Sequence, residues 1–156
     1  MLVKGLDEPI YLPEDENRQH NEIRFAHGFF ASALHEISHW LVAGKERRKL
    51  VDYGYWYAPD GRSADQQELF QKVEIKPQAL EWIFSAASGY RFQISVDNLN
   101  GSESNTNTFK NAVYQQVKTY CYQGLSVRAE IFRQALCRFY GKNLELLIKD
   151  FDFSTI

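Results

Sequence analysis

Apolar positions along the chain fall into blocks with different periods. Ile10-Tyr11-Leu12 and Ile23-Arg24-Phe25-Ala26 are short apolar runs separated by the polar stretch from Glu14 to Gln19, which predicts two short strands, the second closed by Gly28. From Phe29 the period changes. Phe30, Ala33, Leu34, Ile37, Trp40 and Leu41 recur at spacings of three and four, the signature of an amphipathic helix, and Gly44 is its expected stop. Val51, Tyr53, Tyr55 and Tyr57 then alternate with Asp52, Gly54 and Trp56, which predicts an extended strand. Ala58-Pro59-Asp60-Gly61 supplies a turn after it.

The second half reads mainly as helix. Residues 64–73 have helical character, and a further helix over 74–88 would carry Pro77 in its first turn, where no amide partner is lost. Gln93 to Val96 is a candidate strand, and the polar segment Asp97 to Asn107 a loop. Thr108 and Ser126 are placed as N-caps for helices that run to Gly124 and Gly141, and a shorter helix is expected over Asn143 to Lys149. No repeat, low-complexity tract or Pro/Gly/Ser linker divides the chain. The expectation is one α+β domain over residues 1–156, with a few short strands and C-terminal helices.

Composition narrows the class. Leu, Ile, Val and Phe make up 42 of 156 residues at a net charge of only −2, well clear of the disordered range. No apolar run has the roughly 18 residues of a membrane span, and the N-terminus lacks the apolar stretch of a signal peptide. Two cysteines, Cys121 and Cys137, are too few for a disulfide framework and read as reduced thiols in a core. Near-balanced charge argues against bulk binding to nucleic acid. Charge is uneven, however: residues 110–142 carry six bases against one acid, and Lys45-Glu46-Arg47-Arg48-Lys49 is a compact basic run. A solvated face is the simplest account of each segment; an acidic protein partner is the sharper one.

One constellation carries chemistry. His35-Glu36-Ile37-Ser38-His39 lies inside the best-defined helix, where residues four apart stand one above the other, so both imidazoles can grip one metal ion. Glu36 lies about 100° round the helix and points beside the metal. A shuffled chain with this many His and Glu would contain the pattern roughly once in a hundred tries. Two histidines do not hold a divalent ion alone; a carboxylate or third histidine completes typical sites and leaves positions for water or substrate. Glu74, 35 residues beyond His39, leads the candidates. Glu81 stands two turns further on nearly the same face. Asp97, Asp60 and His27 are weaker options, His27 serving equally as a hydrogen-bond donor to a ligand. The Tyr53, Tyr55, Trp56 and Tyr57 row is either a half-buried strand or the wall of a substrate cleft.

Longer motifs surround this pattern. Phe25-Ala26-His27-Gly28 through His35-Glu36-Ile37-Ser38-His39-Trp40, Gly54-Tyr55-Trp56-Tyr57-Ala58-Pro59-Asp60-Gly61-Arg62 and Val73-Glu74-Ile75-Lys76-Pro77-Gln78-Ala79-Leu80-Glu81-Trp82 resemble the bacterial elongation factor P hydroxylase family. Glu8-Pro9-Ile10-Tyr11-Leu12-Pro13 and Asp97-Asn98-Leu99 fit as well, so the resemblance spans most of the chain. Family members carry a further segment before Glu8, whereas seven residues precede it here, so this chain is expected to be shortened at its N-terminus.

The resemblance implies a cytoplasmic, metal-dependent monooxygenase that hydroxylates the β-lysylated lysine of elongation factor P, on a small zincin-like fold with its metal motif on a helix. It makes His35, His39 and Glu74 the metal ligands, with Fe(II) as the metal and molecular oxygen as co-substrate. Two histidines and a carboxylate leave open positions on Fe(II) for oxygen. Glu36 then acts beside the metal, on bound water or protons. A long cationic side chain calls for ring faces and carboxylates, which Tyr55, Trp56, Tyr57, Asp60 and Glu81 can offer, with Arg62 in the same motif. Elongation factor P is acidic overall, which makes Lys45, Arg47, Arg48 and Lys49 a candidate docking patch.

Two rivals remain at this point. The five-residue motif alone equally suits a zinc peptidase, with Zn(II) held by the same ligands and Glu36 activating water. A non-catalytic metal-binding interaction module would keep the fold without turnover. The longer motifs favour the hydroxylase.

Overall fold

The computed structural model describes residues 1–6, 8–55, 64–95 and 103–156. The chain divides into two compact units, Met1–Ala58 and Pro59–Ile156. Together they make an α+β protein.

In the first unit, strands β1 (Leu2–Lys4), β2 (Ile10–Leu12) and β3 (Glu22–Phe25) form one sheet in the order β1-β3-β2. The central strand β3 pairs parallel with β1, Leu2 opposite Ile23, and antiparallel with β2, Tyr11 opposite Ile23. β2 and β3 are the two strands expected from the pattern. β1 is an addition, since a three-residue run at a terminus has too few positions to show a period. The stretch between β2 and β3 is pinned by an Asp15–Arg18 bridge and ion pair at 2.9 Å. β3 ends at Phe25, short of Gly28, because Ala26–Gly28 tightens into a 3-10 turn with His27 at φ 50°. Helix α1 (Phe30–Val42) follows, burying Ala33, Leu34, Ser38 and Leu41. Its C-cap is Ala43, in extended conformation, and Gly44 follows directly at the expected stop, without a left-handed backbone.

The largest departure lies at Val51–Tyr57. Val51–Gly54 is a 3-10 turn, not a strand, with Asp52 at φ 47°, Tyr53 at φ 60° and Gly54 at φ 71°. This bend lets the Asp52 carboxylate accept the Tyr11 N–H at 2.8 Å and brings the Tyr53 ring flat against Tyr11, centroids 4.4 Å apart and 11° from parallel. An alternating strand would have sent Asp52 away from β2. Tyr11, Ile23, Ala43 and Tyr53 form the core here, with Ile37, Trp40 and Tyr55 packed against it. The expected turn at Ala58 to Gly61, and Trp56 and Tyr57, lie outside the described residues.

The second unit is built from α2 (Ala64–Ser88), α3 (Glu103–Gln123) and α4 (Val127–Tyr140), with α2 packed against both others. α2 is one helix where two were expected, and Pro77 sits in its interior. There it removes the amide that would pair with the Val73 carbonyl, a loss set against the complete burial of its ring. α3 begins at Glu103, so Thr108 lies inside the helix and is not its N-cap. Phe109, Val113 and Val117, four apart, bury its inner face. α4 matches its expected limits: the Ser126 hydroxyl accepts the Ala129 N–H, and Gly141 caps the far end at φ 64°.

Gln93 to Ser95 forms no ladder. The Gln78 side-chain amide instead donates to the Ser95 carbonyl at 2.8 Å and its oxygen accepts the Ser95 N–H at 3.1 Å, taking the place of a partner strand. Asn143 to Lys149 is likewise not a helix; Asn143 turns back on the Glu145 N–H, and only Ile148–Asp150 makes a 3-10 turn.

Rings fill this core. Trp82 stacks on Phe92 and meets Phe151 edge-on, and Phe84 meets Phe132 edge-on at 5.0 Å. A guanidinium is buried in this unit as well. Arg133, 4% exposed, donates to both Glu130 carboxylate oxygens at 2.7 and 2.8 Å and to the Leu144 carbonyl at 2.6 Å. Its guanidinium holds the Glu130 carboxyl below the usual glutamate range. Both cysteines are free thiols, Cys137 buried and Cys121 half-buried, and burial pushes the Cys121 thiol up.

Candidate metal centre

α1 is fixed at both ends before it presents any chemistry. The Ser32 hydroxyl accepts the Ala26 N–H at 2.9 Å ahead of the first turn, and the Arg48 guanidinium donates to the Ala43 carbonyl after the last. Buried Ser38 donates back to the Leu34 carbonyl at 2.7 Å, so a polar residue on the inner face costs little.

His35 and His39 stand one turn apart and half-buried, their Nε2 atoms 3.1 Å from one another and their rings 66° from parallel. Two nitrogens bound at roughly 2.0–2.1 Å to one ion stand about 2.9 Å apart at a right angle and about 3.4 Å apart at the tetrahedral angle. The observed spacing falls between. The two Nε2 atoms thus converge at a separation that one ion can span. Glu36, the next residue on α1, is half-buried.

Glu74 and Glu81 lie two turns apart on α2, both buried, Glu74 only 4% exposed. One ligand atom from each of His35, His39 and Glu74 lies within 4.8 Å of the others, a group that can hold a metal ion; neither Glu81 nor His27 belongs to it. His27 is exposed, with its ring 5.4 Å from Phe29. Asp60, Arg62 and Asp97 lie outside the described residues.

The basic run does more inside the fold than a solvated face would. The Arg47 guanidinium donates to the Tyr53 carbonyl at 3.1 Å and covers the Tyr55 ring at 4.2 Å. Arg48 reaches over Trp40 as well as capping α1, and its own carbonyl accepts the Tyr11 hydroxyl at 2.6 Å. Lys49 pairs with Glu46 at 2.8 Å, while Lys45 is exposed.

Sequence reasoning placed Tyr53 in a strand or a cleft wall and missed its position beside His39. Its ring lies 12° from parallel with the His39 imidazole, centroids 6.3 Å apart. Alternation with Tyr55 and Tyr57 concealed this, although Asp52 and Gly54, both turn formers, flank it.

Known proteins agree with the motifs. The sequence profile of the elongation factor P hydroxylase family matches residues 1–151. The elongation factor P lysine hydroxylase of Haemophilus influenzae is 58% identical over 155 residues, covering 99% of this chain and 87% of that protein. An identity of that level over nearly the whole length, together with the profile match, decides the family. The chain belongs to the elongation factor P hydroxylase family.

Proposed function

We propose that this protein is an enzyme that hydroxylates a lysine of elongation factor P. The observation that carries the reading is the 58% identity, over 99% of this chain, to a relative with that name. The substrate form is the lysine already extended by a β-lysyl group, and the whole chain works as one catalytic domain of zincin-like architecture. Acting on a translation factor, it works in the cytoplasm. Among the described residues no helix is long and apolar enough to cross a membrane.

His35, His39 and Glu74 are the proposed ligands of a divalent ion, Fe(II), which suits two imidazoles and one carboxylate. When bound, that ion supplies the activation of molecular oxygen. Everything else falls to the chain. The two imidazoles must be neutral to ligate, so protons compete with the ion and binding weakens in acid. Glu36, half-buried next to His35, is proposed to hold a proton beside the metal. Tyr55, its ring backed by Arg47, together with Trp56, Tyr57, Asp60, Arg62 and Glu81, supplies ring faces and polar groups for a long cationic side chain. Lys45, Arg47, Arg48 and Lys49 are proposed to steer the protein partner. A zinc peptidase is not favoured, because family membership over the whole chain outweighs a five-residue motif.

The test is mass spectrometry of β-lysylated elongation factor P incubated with the protein, Fe(II), oxygen and a reductant. Gain of one oxygen atom on the modified lysine is expected, and its loss in His35→Ala and in Glu74→Ala. Glu36→Gln should keep the metal and lose turnover. No gain with wild type, or peptide cleavage with Zn(II) instead, would overturn the reading.

A further inference from the structure

His39 occupies a weak place for a ligand. It lies in the last turn of α1, its carbonyl accepts the capping Ala43 N–H at 2.9 Å, and Gly44, with no neighbour close to where a side chain would stand, follows. Arg48 caps the backbone of this turn but does not touch the imidazole, and a ligand near a helix end is held in plane only by what lies outside the helix against its ring. His35, one turn deeper, has helix on both sides.

What lies against His39 is the face of Tyr53. Three rings run nearly parallel from the sheet to the metal helix: Tyr11 on β2, Tyr53 on the turn at 4.4 Å and 11°, and His39 at 6.3 Å and 12°. The first ring is immobile. Tyr11 is fully buried, its N–H bound by Asp52 and its hydroxyl by the Arg48 carbonyl. The middle ring is held from behind through its own backbone, where Arg47 takes the Tyr53 carbonyl.

The backbone at Tyr53 would not choose this conformation. A bulky aromatic at φ 60° between Asp52 at 47° and Gly54 at 71° is a steric outlier. Glycine or asparagine would sit there with less strain, so the site retains a ring at a local cost, and such strain collects where a side chain must be aimed.

We propose that Tyr53 is a positioning residue for the metal site, fixing the plane of the His39 imidazole so that its Nε2 stays aimed at the ion. The proposal rests on His39 being a ligand. Loss of a group that orients a ligand typically weakens metal binding about 10–100-fold.

The experiment titrates the metal-free protein with Co(II), read by its visible absorption, alongside far-ultraviolet circular dichroism of each variant. Tyr53→Phe keeps the ring and should bind as wild type does. Tyr53→Gly and Tyr53→Asn keep or ease the backbone and lose the ring; both should hold the fold and bind Co(II) about 10–100-fold more weakly. Wild-type affinity in either folded variant overturns the proposal. Loss of the fold in both variants overturns it too, because the ring would then be a core side chain and nothing more. Failure of the underlying metal-site reading is distinguishable: wild type and His39→Ala would then bind Co(II) alike.

Discussion

The two units reach order by different means. The helical unit buries rings and aliphatic side chains along three long helices, Ile83, Phe84, Val113 and Val117 all being almost fully enclosed. Each such side chain contributes roughly 1.5–3 kcal/mol of non-directional burial. The unit that carries the histidine pair has a sheet of three- and four-residue strands and a core of Tyr11, Ile23, Ala43 and Tyr53. It relies on aimed contacts instead: Asp52 to the Tyr11 amide, Tyr11 to the Arg48 carbonyl, Arg48 to the end of α1 and Arg47 to Tyr53. It also tolerates two non-glycine residues at positive φ in succession, Asp52 and Tyr53, at about 1–3 kcal/mol each. Burial gives bulk stability and leaves geometry loose, whereas directional bonds give geometry at small energy. The histidine pair sits where geometry is controlled.

Breaking the contrast starts with the largest effect. Phe84→Ala opens a cavity opposite Phe132 and should cost about 3–5 kcal/mol in urea unfolding followed by circular dichroism. A cost under about 1 kcal/mol would mean the helical core collapses onto the gap and the contrast is misdrawn.

Glu130→Gln comes next. It leaves Arg133 buried without its carboxylate and should cost roughly 1.5–3 kcal/mol. Because the folded carboxyl titrates below its unfolded value, its contribution is complete above the ordinary glutamate range and is lost as the pH falls through the lowered value. Stability measured against pH should therefore fall less steeply in acid for Glu130→Gln than for wild type. Equal slopes would remove Glu130 from the acid response.

In the other unit, Tyr11→Phe removes the hydroxyl's contacts with the Arg48 carbonyl and Asn21 Oδ1 while keeping the ring stack, and about 1–2 kcal/mol is expected. Its sharper consequence is geometric, with a small rise in the Co(II) dissociation constant. A large stability loss would make this unit as burial-dependent as its neighbour.

Lys45→Glu is the smallest change to the fold, within about 0.5 kcal/mol for an exposed side chain. If the basic run docks a protein, capture of elongation factor P should slow and lose some of its salt dependence. Arg47→Glu cannot be used for this purpose, since it would disturb Tyr53 and Tyr55 as well.

Where a signal is carried by many positions, the sequence was readable. α1 and α4 repeat their apolar period over several turns, and Ser126 and Gly141 mark the α4 ends with the residues that cap geometry demands. The histidine pair follows directly from helix periodicity. What escaped depends on contacts distant in sequence. Tyr53 alternates with Tyr55 as a strand residue would, and only Tyr11, 42 positions earlier, explains the bend. Gln93 to Ser95 has strand composition but pairs with the Gln78 side chain, which no period reveals. Arg47 and Arg48 read as surface charge because nothing local shows which carbonyls and rings they meet.

Pro77 bears on what makes α2 continuous. Before folding, Lys76 is pushed toward extended conformations by the ring that follows it, and a helix started on either side stops there. On their own, helices as short as the two halves are marginal in water, and the division read from the sequence, 64–73 and 74–88, falls beside this weak point. One continuous helix is stable only where burial of Pro77 outweighs the missing rung, so the continuity of α2 depends on the core around it. Glu74, one residue past the carbonyl left without its rung, therefore owes its place to that packing more than to the helix ladder.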